Sequence, residues 1–181
     1  MDEQRGLVLV NTGDGKGKST AAMGQAVRAV GAGMKVIMIQ FLKGKWKVAE
    51  IDGLSHLPNF ELRRLGLGFT APERRIGPLS EHQAAIAAAW EQAVAEVQSD
   101  RWDMVILDEV INVIADPALN EVVNTSALLG LLRERPARLH MVLTGRNAPP
   151  ELIEAADTVT EMVLVKHAYQ AGIKARRGIE F

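Results

Sequence analysis

The chain contains no cysteine. Disulfide bridges, a thiolate nucleophile and a zinc–thiolate site are therefore excluded. It also lacks a dominant sign of charge: 21 Lys and Arg against 22 Asp and Glu leave a formal net charge of −1. That balance gives no global basic signature for nucleic acid or for an anionic membrane. No apolar run approaches the roughly 18 residues that a membrane-spanning helix needs. The opening residues Met1-Asp2-Glu3-Gln4-Arg5 are charged and lack a signal-peptide profile. Internal repeats and low-complexity linkers are absent as well. These absences lead us to expect a soluble, cytoplasmic protein. What is there is 181 residues, 48% of them apolar. That is enough chain for one domain over residues 1–181 with a full core.

The most informative stretch is Asn11-Thr12-Gly13-Asp14-Gly15-Lys16-Gly17-Lys18-Ser19-Thr20. It follows the apolar run Leu7-Val8-Leu9-Val10, which reads as a buried strand, and leads into a helix over residues 18–31. A glycine-rich turn between strand and helix is the context of a phosphate-binding loop. Glycines let the backbone approach an anion, and the amides that open the helix point at it with the helix dipole behind them. Thr12, Gly13, Asp14, Gly15, Lys16, Gly17, Lys18, Ser19 and Thr20 are thus candidate nucleotide contacts. Lys18 is placed to reach the outer phosphates and Ser19 to ligate Mg²⁺. Lys16 adds charge suited to a triphosphate. Thr12 stands where the usual pattern has glycine, with Gly13 and Gly15 compensating. A glycine-rich turn carrying an incidental lysine is the competing reading.

A second signal is Trp102-Asp103-Met104-Val105-Ile106-Leu107-Asp108-Glu109, an apolar strand ending in two carboxylates. Such an end holds Mg²⁺ opposite a phosphate loop, directly or through water. Asp108 and Glu109 are therefore candidate metal ligands. The alternative is a strand that happens to end in acidic turn residues.

Strands are also predicted over residues 34–41, 60–64, 138–146 and 159–165. Ser80 is expected to cap a long helix through residue 98, with Gln83 completing a capping box. Trp90 is assigned to the core and His82 to the exposed first turn of that helix, without a ligand role. A short helix over residues 110–115 should break at Asp116-Pro117, and another should run from Thr125 to Arg133. Pro149-Pro150 begins a further short helix. His140 reads as a packed histidine inside its strand. Arg146 is placed to meet phosphate, with a surface ion pair as the alternative. Leu42-Lys43-Gly44-Lys45-Trp46-Lys47 follows a strand's carboxyl end, where open α/β sheets bind ligands. Residues 65–72 form a glycine-rich loop, and the basic tail from Lys166 reads by composition as loosely ordered. Alternating strands and helices argue for a three-layer α/β fold, P-loop NTPase-like, with a mostly parallel central sheet.

The chain resembles the P-loop type of ATP:corrinoid adenosyltransferase. The resemblance is carried by Thr12 to Ala22, Gln40-Phe41-Leu42-Lys43-Gly44, Leu65-Gly66-Leu67-Gly68-Phe69-Thr70, Ile106-Leu107-Asp108-Glu109-Val110, Leu143-Thr144-Gly145-Arg146 and Val165 to Ala175. These run in family order over almost the whole chain, and the tail block is the most specific because ordinary NTPases lack it. The resemblance implies transfer of the 5′-deoxyadenosyl group of ATP to cobalt(I) of a reduced corrinoid, with triphosphate leaving. Catalysis would then rest on positioning and on neutralising the departing triphosphate, through Lys16, Lys18 and Mg²⁺ on Ser19 and Glu109. It further implies ATP bound in the reverse sense to ordinary P-loop enzymes, an electron-donor flavoprotein as partner, and a homodimer. Phe69 matches an aromatic used to displace the corrinoid's lower ligand, so Lys18, Glu109 and Phe69 are the expected catalytic residues. Ala71 stands where relatives carry tryptophan, and Pro72-Glu73-Arg74-Arg75 also departs from the family pattern. An ordinary P-loop ATPase or kinase, and a binding relative without turnover, are the alternatives.

Overall fold

The computed structural model describes residues 5–44, 49–68 and 70–180. Its strands are β1 (Val8–Thr12), β2 (Val36–Gln40), β3 (Phe60–Arg64), β4 (Met104–Asp108), β5 (His140–Thr144) and β6 (Thr158–Glu161). Its helices are α1 (Lys18–Gly31), α2 (Ala49–Leu54), α3 (Leu79–Gln98), α4 (Val110–Ala115), α5 (Thr125–Glu134) and α6 (Pro150–Ala155), followed by a 3₁₀ turn over Ala168–Ala171. The six strands form one sheet in the order β3-β2-β4-β5-β1-β6. Every pairing is parallel. The sheet expected to be mostly parallel is wholly so.

Parallel strands need cover on both faces, which is why β2 and β4 are apolar and buried at every position up to their polar ends. Alternate residues then feed two cores. Val36, Met38, Met104 and Ile106 pack with Ala22, Ala26 and Ala29 of α1 on one face. Ile37, Ile39, Val105 and Leu107 pack with α3, α4 and α5 on the other. The alanine face of α1 lets the helix lie close to the sheet. Its N-terminus therefore sits beside the carboxyl ends of the strands.

Several local expectations change. Helix α3 starts two residues early, at Leu79 after Pro78, and no side chain caps it. Ser80 then lies inside the helix, and the Gln83 amide donates to Ala118 O at 2.9 Å instead of closing a capping box. His82 is buried, not exposed, because the preceding turn folds over it and its Nε2 hydrogen donates to Ile76 O at 2.9 Å. Trp90 packs, partly buried, against the larger core. His140 opens β5, and its Nδ1 accepts the Leu7 amide at 3.0 Å. The last strand ends at Glu161, short of the predicted Val165, because the chain turns over the β1–α1 loop: Gly15 N donates to Met162 O at 2.6 Å. The tail is exposed, but it contains an ordered 3₁₀ turn in which His167 and Gln170 form a capping box.

Candidate active site

The loop after β1 is shaped by its neighbours as much as by its own glycines. At Gly13, φ is +90°, and a Cβ there would lie 2.6 Å from Met162 O. At Gly15, a Cβ would meet the same oxygen at 2.7 Å. Only glycine lets the edge strand's exit lie against the loop at both places. Gly17, at φ +123°, turns the chain into α1 without a side-chain cap, and no acidic residue occupies the first helical turn. Helix-opening amides in that state are a ready anion site. Lys18 Nζ donates to Gly13 O at 2.6 Å and to Gly15 O at 2.7 Å, bracing the loop from inside. Burial and the nearby Arg146 charge lower its pKa, while Asp14 and Glu109 oppose that shift.

These residues open into a cleft of about 670 Å³ lined by Asp14 to Thr20, Lys43 and Arg146. The tail supplies another part of its wall through His167, Tyr169, Gln170 and Gly178 to Glu180. Lys16 Nζ donates to Ile179 O at 2.5 Å. Arg146 is exposed and its Nε stands 3.7 Å from the Asp14 carboxylate. Its backbone amide donates to Asn112 Oδ1 at 2.6 Å. Thr12 is not at the cleft: its buried hydroxyl accepts the Ala148 amide at 3.2 Å and anchors the start of the loop.

The end of β4 carries the carboxylates. Asp108 is wholly buried and both its oxygens accept hydrogen bonds, from Thr144 and from Gln40. It therefore fits as an outer partner of a cation, at most through water. Glu109 follows in a left-handed backbone turn, φ +67°, and its carboxylate lies 4.0 Å from Lys43 Nζ. Burial raises the Glu109 pKa, Asp108 adds to the rise, and Lys43, Arg146 and Lys18 oppose it. A half-buried carboxylate with so distant a counter-charge fits a cation. Ser19 and Glu109 offer the hard oxygen donors that Mg²⁺ takes. Among the described residues no cluster of three or more His, Asp or Glu side chains forms a metal cage.

The family model described as "ATP:corrinoid adenosyltransferase BtuR/CobO/CobP" matches residues 4–181. The chain belongs to the ATP:corrinoid adenosyltransferase family. A corrinoid adenosyltransferase of Pseudomonas aeruginosa is 42% identical over 99% of this chain and 85% of its own length. One from Escherichia coli K12 is 38% identical over 99% of this chain and 87% of its own. The flagellar accessory protein FlaH from Methanocaldococcus jannaschii shares the fold, with a TM-score of 0.54 at 14% identity over 87% of this chain and 71% of that one.

In this adenosyltransferase, the remaining family motifs gather at the ends of β2 and β3. Arg64 donates to Gly44 O. A Cβ at Gly66 would lie 2.2 Å from Phe41 O, so residues 65–68 lie directly on the exit of β2. The hydroxyl of Thr70 donates to Asp116 Oδ2 at 3.1 Å, tying this loop to the end of α4. Ala71 starts a turn in which its carbonyl accepts the Arg74 and Arg75 amides. Phe69, Lys45, Trp46 and Lys47 lie outside the described residues. Gln40 and Thr144, which the sequence offered only within family motifs, and Asn112 are polar groups to which sequence reasoning assigned no role. The signal for the first two was a polar residue closing an otherwise apolar strand.

Proposed function

We propose that this chain moves the 5′-deoxyadenosyl group of ATP onto cobalt(I) of a reduced corrinoid. The cobalt electron pair forms a bond to C5′, the C5′–oxygen bond breaks, and inorganic triphosphate leaves. The supporting observation is that the phosphate loop and the family-specific tail line one cleft. Lys16, Lys18 and the opening amides of α1 bind the triphosphate there and neutralise the charge that grows as it departs. ATP lies in the sense that turns C5′, not the γ-phosphorus, toward the acceptor. Thr12 and Gly13 to Thr20 set the loop, and Arg146 swings from Asp14 to the phosphates. Ser19 and Glu109 hold Mg²⁺, with Asp108 behind them; when bound, the cation withdraws charge from the triphosphate oxygens. Phe69 contributes an apolar face to the corrinoid. We further assign residues 1–181 to one domain in a cytoplasmic setting, from length and composition, and a flavoprotein electron donor and a homodimer by likeness to the family.

Incubation with MgATP and a corrinoid under strong reduction tests the reading. We expect triphosphate, together with the spectrum of an alkylated corrinoid. ADP or orthophosphate without alkylation would mean ordinary P-loop chemistry. Binding of both ligands with neither product would mean a module without turnover.

A further inference from the structure

Asp108 ends β4, between the ends of β2 and β5. The three terminal side chains, Gln40, Asp108 and Thr144, are each 0% exposed. Thr144 Oγ1 donates to Asp108 Oδ1 at 2.6 Å, and Gln40 Nε2 donates to Asp108 Oδ2 at 3.0 Å. The same Thr144 oxygen accepts the Glu109 amide at 2.8 Å. A hydroxyl has one proton, so the direction of this chain is fixed: the proton goes to Asp108 and a lone pair to Glu109.

The Glu109 backbone is the strained member. A non-glycine residue at φ +67° is strained and persists only where its surroundings impose it. Continued as a strand, β4 would turn Glu109 to the face of Leu107, which lies in the larger core. The left-handed turn instead brings the carboxylate toward Lys43 on the cleft wall. Stability alone does not call for such an arrangement. Burying three polar ends is no better than burying apolar ones of like shape. Moreover, Gln40 Oε1 finds no partner among the described residues.

We infer that Thr144, oriented by its bond to Asp108, and Gln40, which fixes the other Asp108 oxygen, are positioning residues that hold Glu109 in the turn that presents its carboxylate to the triphosphate's metal. Asp108 is the hub of that support and not itself a ligand. The inference rests on the reading above in one respect, that Glu109 faces Mg²⁺ with ATP bound.

The test uses Mn²⁺ as the probe, its affinity for the protein–ATP complex read by electron paramagnetic resonance, beside metal-free ATP affinity and steady-state kinetics. Thr144→Val should weaken Mn²⁺ binding on the order of 10- to 100-fold and lower kcat in parallel, while metal-free ATP binding changes by less than about twofold. Thr144→Ser, which keeps the hydroxyl, should bring both values back to within about threefold. Should Thr144→Val fail to fold, Gln40→Met carries the same test with a smaller loss of Mn²⁺ affinity. Folded variants whose Mn²⁺ affinity matches the parent would overturn the relay, whatever their melting temperature. So would a Thr144→Ser variant as impaired as the valine. Parent protein that binds Mn²⁺ and ATP yet releases only ADP would instead sink the adenosyl-transfer reading and leave the relay standing.

Discussion

At the ends of β1, β2, β4 and β5 the polar groups are hydrogen-bonded inside the core; in the loops beyond β2 and β3, and along the tail, the chain faces outward. Thr12, Asp108 and Thr144 are buried and each is hydrogen-bonded. By contrast Ile76 is 73% exposed, Val165 90% and Tyr169 79%. On the proposed function, the difference follows from what each region has to recognise. A triphosphate is small and highly charged, and donors fixed in advance bind it best. A large, partly apolar ligand is better met by exposed apolar side chains on loops that a rigid sheet carries.

Lys18→Met should separate the two regions most sharply. Adenosyl transfer should fall on the order of 10²–10³-fold, while corrinoid binding, read from its absorption spectrum, stays unchanged. Equal loss of both would erase the distinction. Glycine substitutions come next. Gly13→Ala puts a Cβ 2.6 Å from Met162 O at φ +90°, and thermal melts should show a loss of about 1–3 kcal/mol. Gly44→Ala, with its nearest contact 3.2 Å away on the other side, should cost less. A Gly44→Ala loss as large as that of Gly13→Ala would show the outer region to be packed as tightly as the inner.

The acid response should come from neither region. Near the C-terminal end of α3, burial raises the Glu96 pKa, but hydrogen bonds from Trp102, Arg101 and Arg63 outweigh it and hold the group below its usual 4.5. Because the folded value is the lower one, this contribution is complete above pH 4.5 and fades as pH falls through the folded value. In urea titrations at descending pH, Glu96→Gln should flatten that part of the decline. The smallest effect belongs to Arg146→Ala. Its side chain is 60% exposed, so stability should stay within about 0.5 kcal/mol and the ATP KM should rise by no more than about fivefold. A larger KM change would move Arg146 into the inner region.

The inner region was also the legible one. The runs Val8–Val10, Val36–Ile39 and Met104–Leu107 are apolar because helices cover both faces of the sheet, and the loop's residues are dictated by backbone geometry. Both properties are local in sequence. The path of the chain after Glu161 was not legible, because Met162 turns to meet Gly15, nearly 150 positions away. The burial of His82 depends on the turn at Ile76, and Thr144's role on two other strands. Helix α2 spans six residues, too few to establish a period. The His167–Gln170 cap was within local reach, but the basic, glycine-punctuated composition around it masked it.

The bond from Lys16 to Ile179 O has a thermodynamic corollary. Nucleotide binding that drew the Lys16 ammonium off Ile179 O and onto a phosphate would compete with docking of the tail, and by reciprocity each would weaken the other. Trypsin cleavage after the exposed Arg176 and Arg177 should therefore speed up when MgATP is added. Slower cleavage would mean that the tail closes over the nucleotide instead. On the competitive account, the end of the chain doubles as a gauge of occupancy, its protease sensitivity rising as the cleft fills.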